Sequence, residues 1–453
     1  MKNQIIRDTS LETQSVGRAF LRYLVPSILG MLLVALNVVV DGVMVGNKLG
    51  SVALAGVGIA SPVYTLFLAI SIWISIGGAT IYSQAMGAKK VTKAKQVFSQ
   101  SVTLIVLITL VIGVIAFIFR EQLIYALGAN AETYPYVSAY LKVKLLFGFV
   151  FTLENTLSVF VRNDGSPNRS MAAQITFALA NIVINFIVLY VLELGVAAVA
   201  FGTIIAAFLG MLVLLPHFLK KSSNLKLRKF KWNKKLVITT LVIGFSSFIA
   251  EVGVSVFTVA HNITLERFGG TASVSAFSIL NYIHSVVLLA FLGLGSAIQP
   301  LISYYHGGKL EDQKRQTLKI AVWTAIGVGA LLLVVAQVFT APIVSIFGTF
   351  SNEVTNIAVN GIKIFVFAYV FMGINFVMMT YFQSITHIKM AIWVTAAREM
   401  ILMSLFIMTL PHFLGINGVW MSVPLAEFIV LITIYFYYKK FIIGRVPLLR
   451  KVV

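Results

Sequence analysis

The chain of 453 residues has no cysteine and little charge. The absence of cysteine excludes disulfides and thiolate metal sites. Charged residues make up 11% of the chain, against about 25% in an ordinary soluble domain. Hydrophobic residues make up 59%, far more than a soluble fold needs for its core. The composition therefore predicts an all-α polytopic membrane protein.

The sequence also lacks the motifs of common hydrolytic and nucleotide-binding sites. It contains no HExxH, no GxxxxGK[ST] and no GxSxG. These motifs would supply a zinc site, a phosphate-binding loop or a serine nucleophile. We therefore expect a protein that is not an enzyme and that has no cofactor.

Long apolar runs are present throughout the chain. Each run is close to the roughly 20 residues that a helix needs to cross about 30 Å of hydrocarbon. The pattern predicts twelve transmembrane helices. Their approximate positions are 20–45, 53–80, 97–119, 137–160, 170–192, 196–218, 236–262, 272–298, 317–339, 358–382, 390–411 and 416–438.

The basic residues are distributed unevenly between the two sides of these spans. Most of the 35 Lys and Arg residues lie in the N-terminal arm, in the loops after even-numbered spans, and in the C-terminal tail. Because cytoplasmic loops are enriched in Lys and Arg, we expect a multi-pass protein of the cytoplasmic membrane with both termini cytoplasmic. The first apolar run is long and has no small-residue cleavage site, so we expect an uncleaved first span.

The longest basic stretch, at Lys220–Lys235, follows the sixth span. Cytoplasmic loops are basic for topological reasons and lie against anionic lipid, so we expect a lipid-facing linker and no nucleic-acid partner. The predicted organisation is an N-terminal lobe at 1–219, a linker at 220–235, and a C-terminal lobe with a basic tail at 236–453.

The two halves resemble each other at a constant offset, in which residue 49 corresponds to residue 269. LGSVALAGVGI at Leu49–Ile59 aligns with GGTASVSAFSI at Gly269–Ile279, and SQAMGAKK at Ser83–Lys90 aligns with SYYHGGKL at Ser303–Leu310. Each half holds an even number of spans, so the sequence predicts two parallel six-helix repeats. Transporters built from such repeats bind substrate between them and rock to alternate access.

The first span contains Pro26 and Asp41, two residues whose exposure to lipid would cost free energy. Proline removes a backbone donor and bends a helix, and a central Asp costs roughly 2.5 to 3.5 kcal/mol on the insertion scale. We interpret Asp41 as a carboxylate that binds and releases a cation; an Asp at the wet outer rim is the alternative. Glu251, in the seventh span, is a second candidate, and its alternative is a buried Glu held by Ser247 or Ser255.

Other titratable side chains also lie within predicted spans. Arg398 and Glu399 are adjacent, and adjacent residues of an α-helix point about 100° apart, so the pattern does not predict direct pairing. We interpret the histidines of this group as hydrogen-bonded interior or rim residues. The remaining members are Glu154, Glu427, His261 and His284.

A family resemblance is carried by residues spread over the chain. They are Pro26, Asp41, Val45, Gly46, Leu49 and Gly50, the run SQAMGAK, Arg162, Gly165 and Pro167, and Asn181 with the segment Gly195–Thr203. Together they resemble the multidrug and toxic compound extrusion (MATE) family, and GFSSFIAEVGVS and GLGSAIQPLISYYHGG look most like its DinF-like and MepA-like bacterial branch. The resemblance implies a V-shaped pair of six-helix lobes and a monomer that exports cationic or amphipathic compounds.

The resemblance also implies roles for single residues. Asp41 matches a first-span carboxylate implicated in cation coupling, and Pro26 matches the proline whose bend is proposed to respond to it. Asn181 and Thr203 match polar positions around that carboxylate. A second acid of many members is replaced by Asn185, which removes one anionic ligand for sodium.

The resemblance therefore favours proton coupling over sodium coupling. Glu251 matches an acid of the family's seventh helix, so a sodium ion at Asp41 or at Glu251 stays an alternative. The resulting hypothesis is a cation-coupled antiporter for organic cations, with no substrate-binding residue assigned.

Two other classes of function stay open. One is a flippase for a lipid-linked precursor, because the same superfamily includes such proteins. A flippase needs basic residues inside its cavity to hold phosphate, and the predicted spans contain few. The other is a membrane receptor or scaffold that transports nothing, which the lack of a sizeable soluble domain disfavours.

Overall fold

The computed structural model describes residues 10–227, 231–347 and 350–443, and within these ranges the chain forms helices and short connections. The predicted arm before residue 10, part of the linker and most of the basic tail lie outside the described residues. The α-helices are α1 (Ser10–Thr13), α2 (Val16–Gly87), α3 (Val91–Ile118), α4 (Arg120–Ala126), α5 (Tyr134–Asn163), α6 (Pro167–Phe186), α7 (Val196–Leu219), α8 (Lys234–Gly307), α9 (Glu311–Ile346), α10 (Asn352–Phe365), α11 (Ala368–Ser384), α12 (Ile388–Ala396), α13 (Leu402–Thr409), α14 (Pro411–Leu414) and α15 (Ile416–Tyr438). Three π-helical turns are at Ile187–Val191, Ala397–Ile401 and Lys439–Ile443.

The described helices are long and apolar enough to cross a membrane repeatedly. Nine of them qualify, and α10 with α11 forms a further candidate span bent by 46°. Two of the nine, α2 and α8, have 72 and 74 residues and are each broken once by non-helical backbone, so each supplies two spans. The seven other spans, the four arms of α2 and α8, and the bent pair make the predicted twelve. The all-α polytopic membrane fold is confirmed.

The breaks in α2 and α8 occur at equivalent positions of the two repeats. Gly50 has φ 84° and Gly270 has φ 61°, a region that glycine enters without the steric cost of a Cβ atom. Lys89 and Lys309, at the same offset, both have positive φ, at 61° and 57°. The repeat seen in the sequence is therefore also present in the backbone.

The outer faces of the helices are apolar. Large side chains such as Leu21, Val111, Val183 and Trp323 are more than half exposed. Exposed apolar surface on this scale is unfavourable in water, whereas hydrocarbon accepts it. The surface therefore agrees with a multi-pass membrane protein.

The described residues belong to two compact units. The first lies within Met1–Val252, Leu292–Thr317 and Ser384–Thr386, and the second within Gly253–Phe291, Leu318–Gln383 and His387–Val453. The first unit thus includes both ends of α8 as well as the helices of the first repeat. The second unit includes the middle of α8 and most of α9 to α15.

Within the first unit, the second arm of α2 crosses the end of α8 with backbone against backbone. A Cβ atom built on Gly87 would lie 2.0 Å from the carbonyl oxygen of Tyr304. A Cβ atom built on Gly307 would lie 2.0 Å from the carbonyl oxygen of Gln84. The two contacts are equivalent under the repeat offset. Both need glycine, because any side chain would collide with main chain.

We expect Gly87→Ala or Gly307→Ala to separate these two arms. The added methyl group meets backbone that cannot rotate away, so the arms themselves have to move. Because the chain has no native cysteine, spin labels attached through Lys90→Cys and Lys309→Cys report one distance. That distance should lengthen in either alanine variant. The control is Gly58→Ala, where no atom lies within 4 Å of the new Cβ; an unchanged distance in both alanine variants would contradict the prediction.

The beginning of the predicted linker is attached to the first unit through Asp164. Its carboxylate accepts hydrogen bonds from Tyr82 Oη at 2.6 Å, Ser223 Oγ at 3.0 Å and the backbone N–H of Asn224 at 3.2 Å. His217 Nε2 lies 2.8 Å from the same carboxylate, and both side chains are buried. A buried carboxylate is tolerated when several donors replace its hydration.

We expect Asp164→Ala to lower the free energy of unfolding by about 3 to 5 kcal/mol, the usual cost of removing one member of a buried charged network. The substitution leaves the buried donors of Tyr82 and His217 without their acceptor. Unfolding in detergent, followed by circular dichroism, measures the effect. Glu132→Ala removes an exposed carboxylate and should cost little; equal losses in the two variants would argue against the prediction.

Candidate cation-coupling site

Three helices of the first unit bring polar residues together. Asn37 and Asp41 lie one turn apart on α2, and Asn181 and Asn185 lie one turn apart on α6, so each pair shares one helix face. Thr203 comes from α7. Asp41 is half-buried and the other four side chains are buried. These helices therefore form a polar cluster inside an apolar unit.

Hydrogen bonds connect the members of this cluster. Asn185 Nδ2 donates to Asp41 Oδ1 and, at 3.3 Å, to Asn181 Oδ1. Asn37 Nδ2 also donates to Asn181 Oδ1, at 2.8 Å, and Asn181 Nδ2 donates to Thr203 Oγ1 at 3.4 Å. Four residues chosen from the sequence, Asp41, Asn181, Asn185 and Thr203, thus occupy one continuous network. Whether they couple cation movement to transport stays a prediction.

Asn37 belongs to this network but sequence reasoning missed it. Its amide nitrogen donates to the carbonyl oxygen of Ala178, at 3.3 Å, as well as to Asn181. The sequence spacing does indicate this membership, because Asn37 precedes Asp41 by four residues and therefore lies on the same face of α2.

Lys144 is the second residue that sequence reasoning missed. It is buried in α5, where its ammonium group lies 5.2 Å from the ring centres of both Tyr64 and Tyr140. Its charge interacts with that of Asp41. Lys144 lies in the predicted fourth span, at 137–160, but its residue type alone indicated no role there. The structure makes it the counter-charge of the cluster.

One polar atom of the cluster has no partner. Asn185 Oδ1 is buried without a hydrogen-bond donor among the described residues. It lies against Gly202, where a Cβ atom would approach to 2.4 Å. Because a buried carbonyl oxygen without a donor costs free energy, Asn185 has the capacity to accept one more hydrogen bond or to coordinate a cation.

A small cavity lies beside the cluster. Tyr64, Phe67, Lys144 and Phe151 are among its lining residues. The charges of Glu251, Glu154 and Asp41 all act on the hydroxyl of Tyr64. Glu251 is half-buried on α8, outside the three helices that build the cluster.

Pro26 lies at a distance from Asp41 on the same arm of α2. They are 15 positions apart, which corresponds to about 22 Å of helix. Pro26 is buried within the protein, as expected for a proline that removes a backbone donor inside a membrane span. Two residues further, the backbone of Ile28 approaches Gly293 of α8, where a Cβ atom would lie 3.0 Å from Ile28 Cα. The chain after Pro26 is therefore in close contact with a second helix.

An ion pair connects the end of the first arm of α2 to the segment before α7. Lys48 Nζ lies 2.7 Å from Glu193 Oε1, in the connection before α7. The hydrogen bond from Lys48, and then its charge, lower the pKa of the Glu193 carboxyl. The pair joins the arm that carries Asp41 to the segment that leads to Thr203, and both partners are accessible to water.

In the second unit, the structure corrects the interpretation of Arg398 and Glu399. Arg398 Nη2 lies 2.6 Å from Glu399 Oε1, so the two adjacent residues pair directly. They belong to a π-helical turn, and the wider turn changes the angle between neighbouring side chains. The prediction that they need not pair assumed a regular α-helix.

His261 of the second unit agrees with the prediction made for it. His261 is fully buried and its Nδ1 lies 2.8 Å from the carbonyl oxygen of Phe257. Its ring stacks on Phe277 with a centroid distance of 5.0 Å. His261 is therefore a hydrogen-bonded interior residue, as predicted.

The geometry defines an all-α membrane protein with a polar cluster around one half-buried carboxylate, between helices of one repeat. The MatE family model matches residues 26–187 and 246–409. The chain belongs to the MatE family, and the resemblance predicted from its sequence is confirmed.

Relatives and solved structures extend this finding. The chain is 25% identical over 423 residues to "Multidrug export protein MepA" of Staphylococcus saprophyticus, and 26% identical over 441 residues to "Probable multidrug resistance protein YoeA" of Bacillus subtilis. These alignments cover 92% and 94% of both chains in each pair. A solved structure described as the outward-facing conformation of a multidrug resistance MATE family transporter of the MOP superfamily has a TM-score of 0.89 at 20% identity, covering 95% of this chain and 97% of that one. A MOP superfamily transporter from Pyrococcus furiosus has a TM-score of 0.88 at 20% identity, covering 97% and 98%.

Because Asn185 stands beside Asp41, we expect Asn185→Asp to create sodium binding. The variant places two carboxylates and two neutral oxygens around one point, and hard cations prefer such oxygen ligands. Thermal unfolding should shift upward with added NaCl in the variant by several degrees, and little in the natural chain. Potassium chloride at equal ionic strength is the control. A shift of equal size with both salts would mean that no specific sodium site has formed.

Proposed function

We propose that this protein is a cation-coupled antiporter that exports cationic or amphipathic compounds, with protons as the coupling ion and Asp41 as the coupling carboxylate. The relatives named as multidrug export proteins support the export of such compounds. The cluster around Asp41 supports the coupling. We propose further that the protein acts as a monomer in the cytoplasmic membrane with both termini cytoplasmic.

The main support for this proposal is the carbonyl oxygen of Asn185, which has no hydrogen-bond donor among the described residues. An ionised Asp41 only accepts hydrogen bonds, and Asn185 supplies a donor to it. A protonated Asp41 acquires an O–H donor, and Asn185 has an unused acceptor for it. The same two side chains can therefore satisfy both protonation states with small rotations.

Sodium binding would require a larger rearrangement of this cluster than proton binding. A sodium ion needs several oxygen ligands, of which Asp41 provides the only charged ones in the network. The Asn181 carbonyl oxygen already accepts hydrogen bonds from Asn37 and Asn185, and Thr203 accepts one from Asn181. These bonds would have to break, whereas a proton needs one carboxylate oxygen. This difference favours the proton.

Transport then follows from the position of Asp41 on α2. A proton from outside binds Asp41, the hydrogen bonds to α6 rearrange, and the arm that contains Pro26 shifts. The compound leaves outward and the proton leaves to the cytoplasm. Each proton that moves down the membrane potential supplies roughly 2.3 kcal/mol per 100 mV, and a monovalent cation that moves outward consumes the same amount, so the pH difference drives this one-for-one exchange.

Two of the buried basic residues, Lys144 and Arg398, disfavour the flippase alternative. A lipid-linked precursor carries phosphate, which needs uncompensated Lys or Arg in the cavity. Lys144 interacts with Asp41, and Arg398 contacts both Glu399 and Glu427. Both cations are thus accompanied by carboxylates and are poorly suited to hold phosphate.

Dye efflux from everted vesicles tests the proposal. We expect Asp41→Asn to abolish efflux driven by an imposed proton gradient, because the amide cannot take up a proton, while Glu251→Gln retains at least part of it. A sodium gradient should drive little efflux in either. Matched membrane insertion of the variants is the control. If Asp41→Asn transports normally and Glu251→Gln does not, the coupling carboxylate is in α8 instead.

A further inference from the structure

A second group of buried charges lies in the second unit, on helices that take no part in the Asp41 cluster. Arg398 and Glu399 belong to the π-helical turn Ala397–Ile401, and Glu427 belongs to α15. Arg398 Nη2 lies 2.6 Å from Glu399 Oε1, and Arg398 Nε lies 3.2 Å from Glu427 Oε1. The side chains of Arg398 and Glu427 are 3% exposed and that of Glu399 is 11% exposed.

Neighbouring groups hold these three side chains in place. Asn375 of α11 donates to Glu427 Oε2 at 2.6 Å and to the Glu427 carbonyl oxygen at 2.8 Å. The Arg398 guanidinium lies 3.9 Å from the ring centre of Phe376. The stem of Glu399 packs against Gly253 of α8, where a Cβ atom would lie 2.5 Å from Glu399 Cβ. Each member is therefore positioned by a helix other than its own.

The charges of this group do not balance. Two ionised carboxylates and one guanidinium leave one negative charge in an apolar interior, where an uncompensated charge is costly. One proton on either carboxylate makes the group neutral and leaves one close ion pair. A second proton would leave Arg398 unpaired, so the group is suited to hold one proton and no more.

Other titratable groups face the same region from the packed helices. His284 of α8 is buried and its ring interacts with the charge of Arg398, and His261 lies beyond it across Phe257. Tyr369 of α11 stacks on His284 with a centroid distance of 6.1 Å. None of these residues is a permanent cation that would balance the second carboxylate, and His261 occupies the repeat position equivalent to Asp41.

From these observations we infer that Arg398, Glu399 and Glu427 form a one-proton site in the second unit, in which a single exchangeable proton is shared by the two carboxylates. The partly exposed Glu399 exchanges it with water: an O–H bond forms on one carboxylate oxygen on uptake and breaks on release. The inference extends the proposed function, because such a site would add a second proton-binding step to the cycle.

Infrared spectroscopy of the purified full-length protein tests the site through the C=O stretch of a protonated carboxyl. Glu399→Gln and Glu427→Gln should each remove the same single band, because one remaining carboxylate pairs with Arg398 and needs no proton. In the natural chain the band should disappear as the pH is raised. Arg398→Gln should add a second band. Glu353→Gln, which removes an exposed carboxylate of the second unit, is the matched control and should leave the band unchanged.

Several results would overturn the inference. If neither glutamine variant changes the band, both carboxylates are ionised and the charge is balanced elsewhere, for example on His284. If only one variant removes the band, the proton is not shared. If the band persists at every pH, the proton does not exchange. The infrared band can be measured without any transport. If the band behaves as expected but no proton-driven efflux is observed, the proposed function is refuted and the proton site is still supported.

Discussion

The cost of burying charge is the constraint on which the rest of this structure depends. In an apolar interior a carboxylate persists only where donors or cations replace its hydration. Asp41 has the amide of Asn185 and the charge of Lys144, and Asp164 has hydroxyl, imidazole and backbone partners. Each compensated carboxylate joins at least two helices. The charged groups therefore help to determine which helices stay together.

Close backbone contact is the complementary source of cohesion. Apolar side chains give little net attraction between helices in lipid, so small residues that allow close approach contribute much of the packing. Gly87 and Gly307 meet opposite carbonyl groups at equivalent positions of the two repeats. The equivalent breaks at Gly50 and Gly270 divide the two longest helices in the same way. The duplication thus preserves backbone geometry more strictly than it preserves polar residues, since Asp41 corresponds to His261.

The sequence predicted the elements that follow from regular periodicity. Twelve spans, their parallel repeat and the grouping of Asp41 with Asn181, Asn185 and Thr203 needed only helix length, a constant offset and a family resemblance. The direct pairing of Arg398 with Glu399 could not be predicted in this way, because it depends on a π-helical turn that ordinary helix geometry does not anticipate. Lys144 was missed for another reason: its ammonium group contacts Tyr64 of α2, a different helix, and no local sequence pattern reports such a tertiary contact.

The replacement of a second acid by Asn185 has an electrical consequence. A unit that carries one exchangeable proton inward while a monovalent organic cation moves outward transfers no net charge across the membrane. Such exchange is electroneutral, responds to the pH difference alone, and ignores the membrane potential. Transport becomes electrogenic only if another proton accompanies the first. Under the proposed coupling, the uncharged amide of Asn185 beside Asp41 therefore limits this half of the protein to the pH component of the proton-motive force.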